Sequence, residues 1–68
     1  MNCSVDTEQE DDGRRIAEVP ELPGVLAYGT TREDAQARAQ VLALRVIAER
    51  LEHGESRPID IRISVAAA

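Results

Sequence analysis

The chain has 68 residues, enough for one small domain, with a formal charge of −5 and no lysine among its eight basic residues. An acidic balance disfavours free nucleic acid as the ligand, because phosphate attraction supplies most non-specific affinity. A single cysteine, Cys3, excludes an intrachain disulfide and a cysteine metal cluster, and no apolar run approaches the roughly 20 residues that cross a bilayer. No basic segment followed by an apolar one opens the sequence, so the expectation is a cytoplasmic protein with no membrane contact. Tyr28 is the sole aromatic residue, and the core must come from Ile, Val, Leu and Ala. A domain of this size buries only about 60% of its unfolded surface. Both facts point to a homo-oligomer, a dimer or tetramer, or to a partner as a source of stability.

Residues 2–7 are expected to form a first strand, with Cys3 and Val5 on one face and Ser4 and Asp6 on the other. Residues Glu8 to Gly13 are a run of acids and Gln9 that ends in Asp-Gly, a loop and turn signal. A second strand follows at 14–19, in which Ala17 and Val19 alternate against Ile16 and Glu18, and the glycine turn makes the pair a hairpin. Pro20 and Pro23 lack the backbone N–H and Gly24 permits positive φ, so the stretch from Pro20 to Gly24 breaks the ladder. A third strand is expected at 25–29.

The longest element is a helix at 32–53. Thr31 and Asp34 read as a capping box at its start, and His53 with Gly54 supplies the stop. At 100° per residue, Ala35, Ala39, Leu42, Ala43 and Val46 fall on one arc. Ala37, Val41, Leu44, Ala48 and Leu51 fall on a second, set apart on one side by Asp34, Arg38, Arg45, Glu49 and Glu52. A helix lying on one sheet needs a single apolar stripe. The second stripe has the spacing of a packing seam, so Val41, Leu44, Ala48 and Leu51, with Tyr28, are the candidate oligomer or partner interface. After a linker at Glu55–Pro58, a fourth strand at 59–65 alternates Ile59, Ile61, Ile63 and Val65 with Asp60, Arg62 and Ser64. Residues 66–68 read as a tail.

The order β-β-β-α-β makes the helix a crossover, which is right-handed in about 98% of cases. The compact solution is an α+β fold: a mostly antiparallel sheet in the order 3-2-1-4 with one helix packed on one face. Its fourth strand would present an isoleucine-rich edge, a template for pairing with another chain.

The segment Ala17-Glu18-Val19-Pro20-Glu21-Leu22-Pro23-Gly24, followed by Gly29-Thr30-Thr31-Arg32-Glu33-Asp34-Ala35, resembles the HicB-like antitoxin family. Asp12-Gly13 before the second strand and Gly54-Glu55 at the helix end match its pattern too, so the resemblance covers about residues 11 to 55. Asp34 stands where the family usually has Glu. The resemblance implies a degenerate ribonuclease-H-like fold. It also implies a role as the acidic partner that neutralises a basic, HicA-like mRNA-cleaving toxin. Many members carry a further DNA-binding domain, and none is read in this sequence. Val41, Leu44 and Ala48 replace the polar residues usual in the family, and Gln36 stands where an apolar residue is usual. The helix thus reads as re-faced for a subunit contact.

Under that resemblance Pro20, Pro23, Gly24, Gly29, Thr31, Asp34 and Gly54 are structural motif residues. Asp11 and Asp12 in the acidic turn, and Glu21 and Leu22 in the proline loop, are the residues expected to face a toxin. Metal-dependent nuclease chemistry needs several carboxylates converging on one or two ions. Asp6, Asp34 and Asp60 are the candidates, the cap already explains Asp34, and no histidine converges with them. Cys3 has no neighbouring base to activate it and reads as a small buried hydrophobe. Gly24 and Gly29 lack the spacing of a phosphate-binding loop. The arginines form no stripe with interleaved aromatics, so direct RNA binding is not expected. The expectation is a protein-binding module, not an enzyme, without metal or cofactor. Its first reading is a HicB-like antitoxin, and its alternative a stand-alone oligomeric HicB-like protein with no toxin partner.

Overall fold

The hairpin at Gly13 is built from two backbone bonds: Glu10 N–H donates to Arg14 O at 2.8 Å and Gly13 N–H to Glu10 O at 3.0 Å. It joins β1 (Asn2–Gln9) to β2 (Arg15–Glu18), which pair antiparallel from Asp6↔Glu18 to Gln9↔Arg15. β2 pairs antiparallel in turn with β3 (Leu26–Gly29). A three-stranded antiparallel sheet and one helix, α1 (Arg32–Glu52), give an α+β arrangement. The fourth strand, β4 (Arg62–Val65), pairs parallel with β1, so the sheet runs β3-β2-β1-β4. This computed structural model describes residues 2–54 and 62–65. The expected linker at 55–58, the first part of the expected fourth strand with Asp60, and the tail at 66–68 lie outside the described residues.

β1 is longer than its local sequence suggests. Glu8 and Gln9, expected in the loop, are strand residues paired with Ile16 and Arg15. The cross-strand ladder satisfies their backbone groups, and that outweighs the weak strand preference of Glu and Gln.

Pro20 and Pro23 shape the next segment. Leu22 N–H donates to Val19 O and Val25 N–H to Leu22 O, each at 3.0 Å, so two β-turns share Leu22. Pro23 and Gly24, with φ +88°, occupy the central positions of the second, a type II arrangement in which a side chain at Gly24 would be strained. Val19 N–H closes the loop on Val25 O at 3.0 Å. Leu22 is thereby turned inward, and it is the largest fully buried side chain among the described residues.

Thr31 caps α1: its Oγ1 accepts from Asp34 N–H at 3.0 Å. The return bond reaches one residue further back than a capping box, because Asp34 Oδ2 accepts from Thr30 N–H, at 3.3 Å. Gly54 has φ +70°, and its N–H donates to Leu51 O at 3.2 Å beyond the His53 cap. The line of α1 that packs on the sheet is Ala35, Ala39, Ala43 and Ile47, one turn apart. Val46 is half-buried and Leu42 is exposed. The expected arc is therefore rotated toward Ile47. Three alanines in a row let the helix axis come close to the strands, and at that distance a leucine is displaced to the rim.

The core lies between this line and Cys3, Val5, Ala17, Val19, Leu22 and Val25. Gly29 brings β3 against the helix start, since a Cβ there would lie 2.5 Å from Ala35 N. Burial pushes the Cys3 thiol above its ordinary value of 9.0, and the carboxylate of Glu21 adds to the effect. That favours the neutral, unreactive form.

Candidate functional site

Strand alternation sends Cys3, Val5, Ala17, Val19 and Val25 to the helix and their neighbours to the opposite face. The registers Asp6↔Glu18↔Leu26 and Glu8↔Ile16↔Tyr28 place these six residues together on that second face. Asp6, Glu8, Ile16, Glu18 and Leu26 line a shallow hollow of about 230 Å³ there. Leu26 is 42% exposed and Tyr28 43%. The guanidinium of Arg14 lies 4.7 Å from the centre of the Tyr28 ring, a cation–π contact at the margin of the patch. The result is an apolar strip bordered by the carboxylates of Asp6, Glu8 and Glu18, with α1 on the far side of the sheet.

The expected interface residues do not form one surface. Val41, Leu44, Ala48 and Leu51 are all exposed on the side of α1 away from the sheet. Tyr28 is instead on edge strand β3, where it lines a groove of about 410 Å³ with Ala27, Ala37, Arg38, Val41 and Leu42. Val41 alone connects the two regions.

The expected toxin-facing residues divide more sharply. Asp11 is exposed in the hairpin turn. Asp12 is engaged locally: Oδ1 accepts from Arg14 N–H at 3.0 Å and Oδ2 from Arg14 Nε at 2.7 Å. The bond from the Arg14 backbone N–H, then that guanidinium, holds its carboxyl below the usual 3.8. Leu22 cannot face a partner, because the double turn buries it in the core. Glu21 is exposed, yet its carboxylate accepts from Ser4 N–H at 2.9 Å and from Ser4 Oγ at 3.1 Å. Continuing the β1–β2 register puts Pro20 opposite Ser4, where the ladder stops and Glu21 takes up the strand's N–H group.

That bond holds the Glu21 carboxyl below its ordinary 4.5. A depressed carboxyl contributes stability above its unfolded value, and the contribution is lost as pH falls through the folded one. Glu21→Gln is therefore expected to shallow the loss of Tm between about pH 5 and pH 3. Thermal melts across that range check it, and an acid limb identical to that of the parent would refute the coupling.

Asp34, a nuclease candidate, is committed to the helix cap and to Arg38 Nε at 3.1 Å. Among the described residues, no three His, Cys, Asp or Glu side chains are grouped to hold a metal ion, and no helix is long and apolar enough to cross a membrane. The face bearing Glu18, Ile16 and Leu26 is what the sequence reading missed. Its signal lay in the positions between the core residues, but strand register was needed to assemble it. Comparison of the chain with protein-family models, with curated proteins and with solved structures returns no match.

Proposed function

We propose that the chain is a HicB-like protein-binding module, acting in the cytoplasm as an antitoxin. Its sheet face opposite the helix docks on a basic, HicA-like mRNA-cleaving toxin and covers the catalytic surface. One observation carries this reading: half-buried Ile16 and exposed Leu26 and Tyr28 share that face with Asp6, Glu8 and Glu18, which flank them on the β1 side. An apolar strip flanked by carboxylates suits a partner with an aliphatic or aromatic anchor beside arginine or lysine. The motif from Ala17 to Ala35 supports the family. The βββαβ order with a parallel fourth strand agrees with the degenerate ribonuclease-H-like fold the resemblance implies.

The test uses a purified HicA-like toxin, a small basic mRNA-cleaving protein, in an RNA-cleavage assay and by calorimetry. The chain is expected to bind it and abolish cleavage. Reversing Glu8 and Glu18 to arginine should weaken binding about a hundredfold, as loss of complementary charge at a docking face does. Unimpaired cleavage in the presence of excess chain would overturn the reading. The exposed stripe on α1 favours a second one, a stand-alone oligomer with no toxin partner, and the same assay separates the two.

A further inference from the structure

The outer face of α1 has no role in the sheet or in the proposed toxin contact. Val41 is 47% exposed, Leu44 56% and Leu51 37%, with Ala48 beside them. Their spacing of three, four and three residues makes a continuous seam along α1, on the side away from the buried line of Ala35, Ala39, Ala43 and Ile47. We propose that this seam is a self-association surface, on which a second copy of the chain lays its own α1 antiparallel about a twofold axis level with Val46.

Two features of the sequence select that occupant and that direction. The first is volume. In the antiparallel register Val41 meets the partner's Leu51 and Leu44 meets the partner's Ala48, so every layer combines a larger side chain with a smaller one. A parallel pair would stack Leu44 on Leu44 and Ala48 on Ala48, alternating crowded layers with empty ones, and close packing disfavours that arrangement. The second is charge. Arg38, Arg45 and Glu52 flank the seam two turns apart, on the border that also carries Asp34 and Glu49, so carboxylates stand at both ends of it and the two arginines between them. Antiparallel packing brings Arg38 beside the partner's Glu52, twice by symmetry. Arg38 Nε is bonded to Asp34, which leaves its terminal amino groups for that pair. Arg45 approaches its own symmetry mate near the axis, and Glu49 stands one turn along the same helix to offset it. A partner of another sequence would have no reason to match both patterns.

Sedimentation equilibrium on the full chain, from micromolar to millimolar concentration, is expected to give twice the chain mass of 7.4 kDa. Leu44→Glu should weaken the dimer a hundredfold or more, since it sets two carboxylates in the centre of the seam. Arg38→Glu and Glu52→Arg should each weaken it about tenfold, and the double reversal should restore it. Should Leu44→Glu fail to fold, the charge reversals decide alone, because they leave the apolar seam intact. A chain that stays monomeric throughout, or a dimer indifferent to Leu44→Glu, would overturn the surface. Failure of the double reversal to rescue would overturn the antiparallel register. Toxin inhibition is read separately, so loss of either result leaves the other standing.

Discussion

Leu22→Ala is expected to destabilise the chain by about 2–5 kcal/mol, the range for truncating a buried leucine in a core that cannot fully collapse. A domain of 68 residues has about 3–10 kcal/mol in hand, so the variant should lose about half of its stability and melt at a much lower temperature. The reason is where Leu22 sits. The two turns that share it anchor its N–H on Val19 O and its carbonyl on Val25 N–H, so the backbone cannot slide to fill the void. The next-largest fully buried side chains of the same core, Val5, Val19 and Cys3, are short of atoms to move inward. Pro20→Ala in the same loop is the control. Pro20 is exposed, so its loss should alter the freedom of the unfolded chain without opening a cavity. Urea titration followed by circular dichroism measures both. A Leu22→Ala midpoint within error of the Pro20→Ala midpoint would mean that the side chain does not anchor the core.

How far the fold could be read from the residues depends on which signal carried each element. α1 was legible because capping, composition and absence of Gly or Pro agreed over 21 residues. Its contact line was not. Two apolar arcs on one helix leave the wheel without a single preferred face, and the choice fell to three alanines whose small size sets the approach of helix to sheet. Leu42 belongs to the apparent arc and ends at a rim, whereas Ile47, near the boundary between arcs, is buried. β2 and β3 followed from alternation and turn residues. The extension of β1 through Gln9 did not, because partner strand rather than local preference holds Glu8 and Gln9. Leu22 shows the sharpest gap. Between two prolines and a glycine no periodicity exists to say which way a leucine points, and position in a loop suggested exposure. Only the hydrogen-bonded turns reveal that the loop folds a side chain inward. The acidic face opposite the helix is an intermediate case, since alternation named its members and only register made them neighbours.

Gly29→Ala should be the second most damaging change, and for a reason unlike that at the other glycines. Gly13, Gly24 and Gly54 all have positive φ, with open space where a Cβ would go. An alanine there meets conformational strain of about 1–2 kcal/mol and nothing else. At Gly29 the added Cβ would lie 2.5 Å from Ala35 N, 2.8 Å from Asp34 Oδ2 and 2.9 Å from Ala35 Cα. Two of those atoms are backbone in the first turn of α1, and rotating a side chain cannot relieve them. The helix start has to lift from β3. Lifting it disturbs the bond from Thr30 N–H to Asp34 Oδ2 and the seat of Ala35, which is fully buried. Overpacking of this kind costs about 1–3 kcal/mol, and a weakened cap adds about 1 kcal/mol more. Gly29→Ala is thus expected to lower Tm well beyond Gly24→Ala, and Gly29→Val to lower it further. Amide hydrogen exchange would localise the cause, with protection lost first at residues 34–38 and retained across β1 and β2. If Gly24→Ala proved the more harmful, or if exchange rose evenly over the whole sheet, close approach of β3 to α1 would not be what requires a glycine at this position.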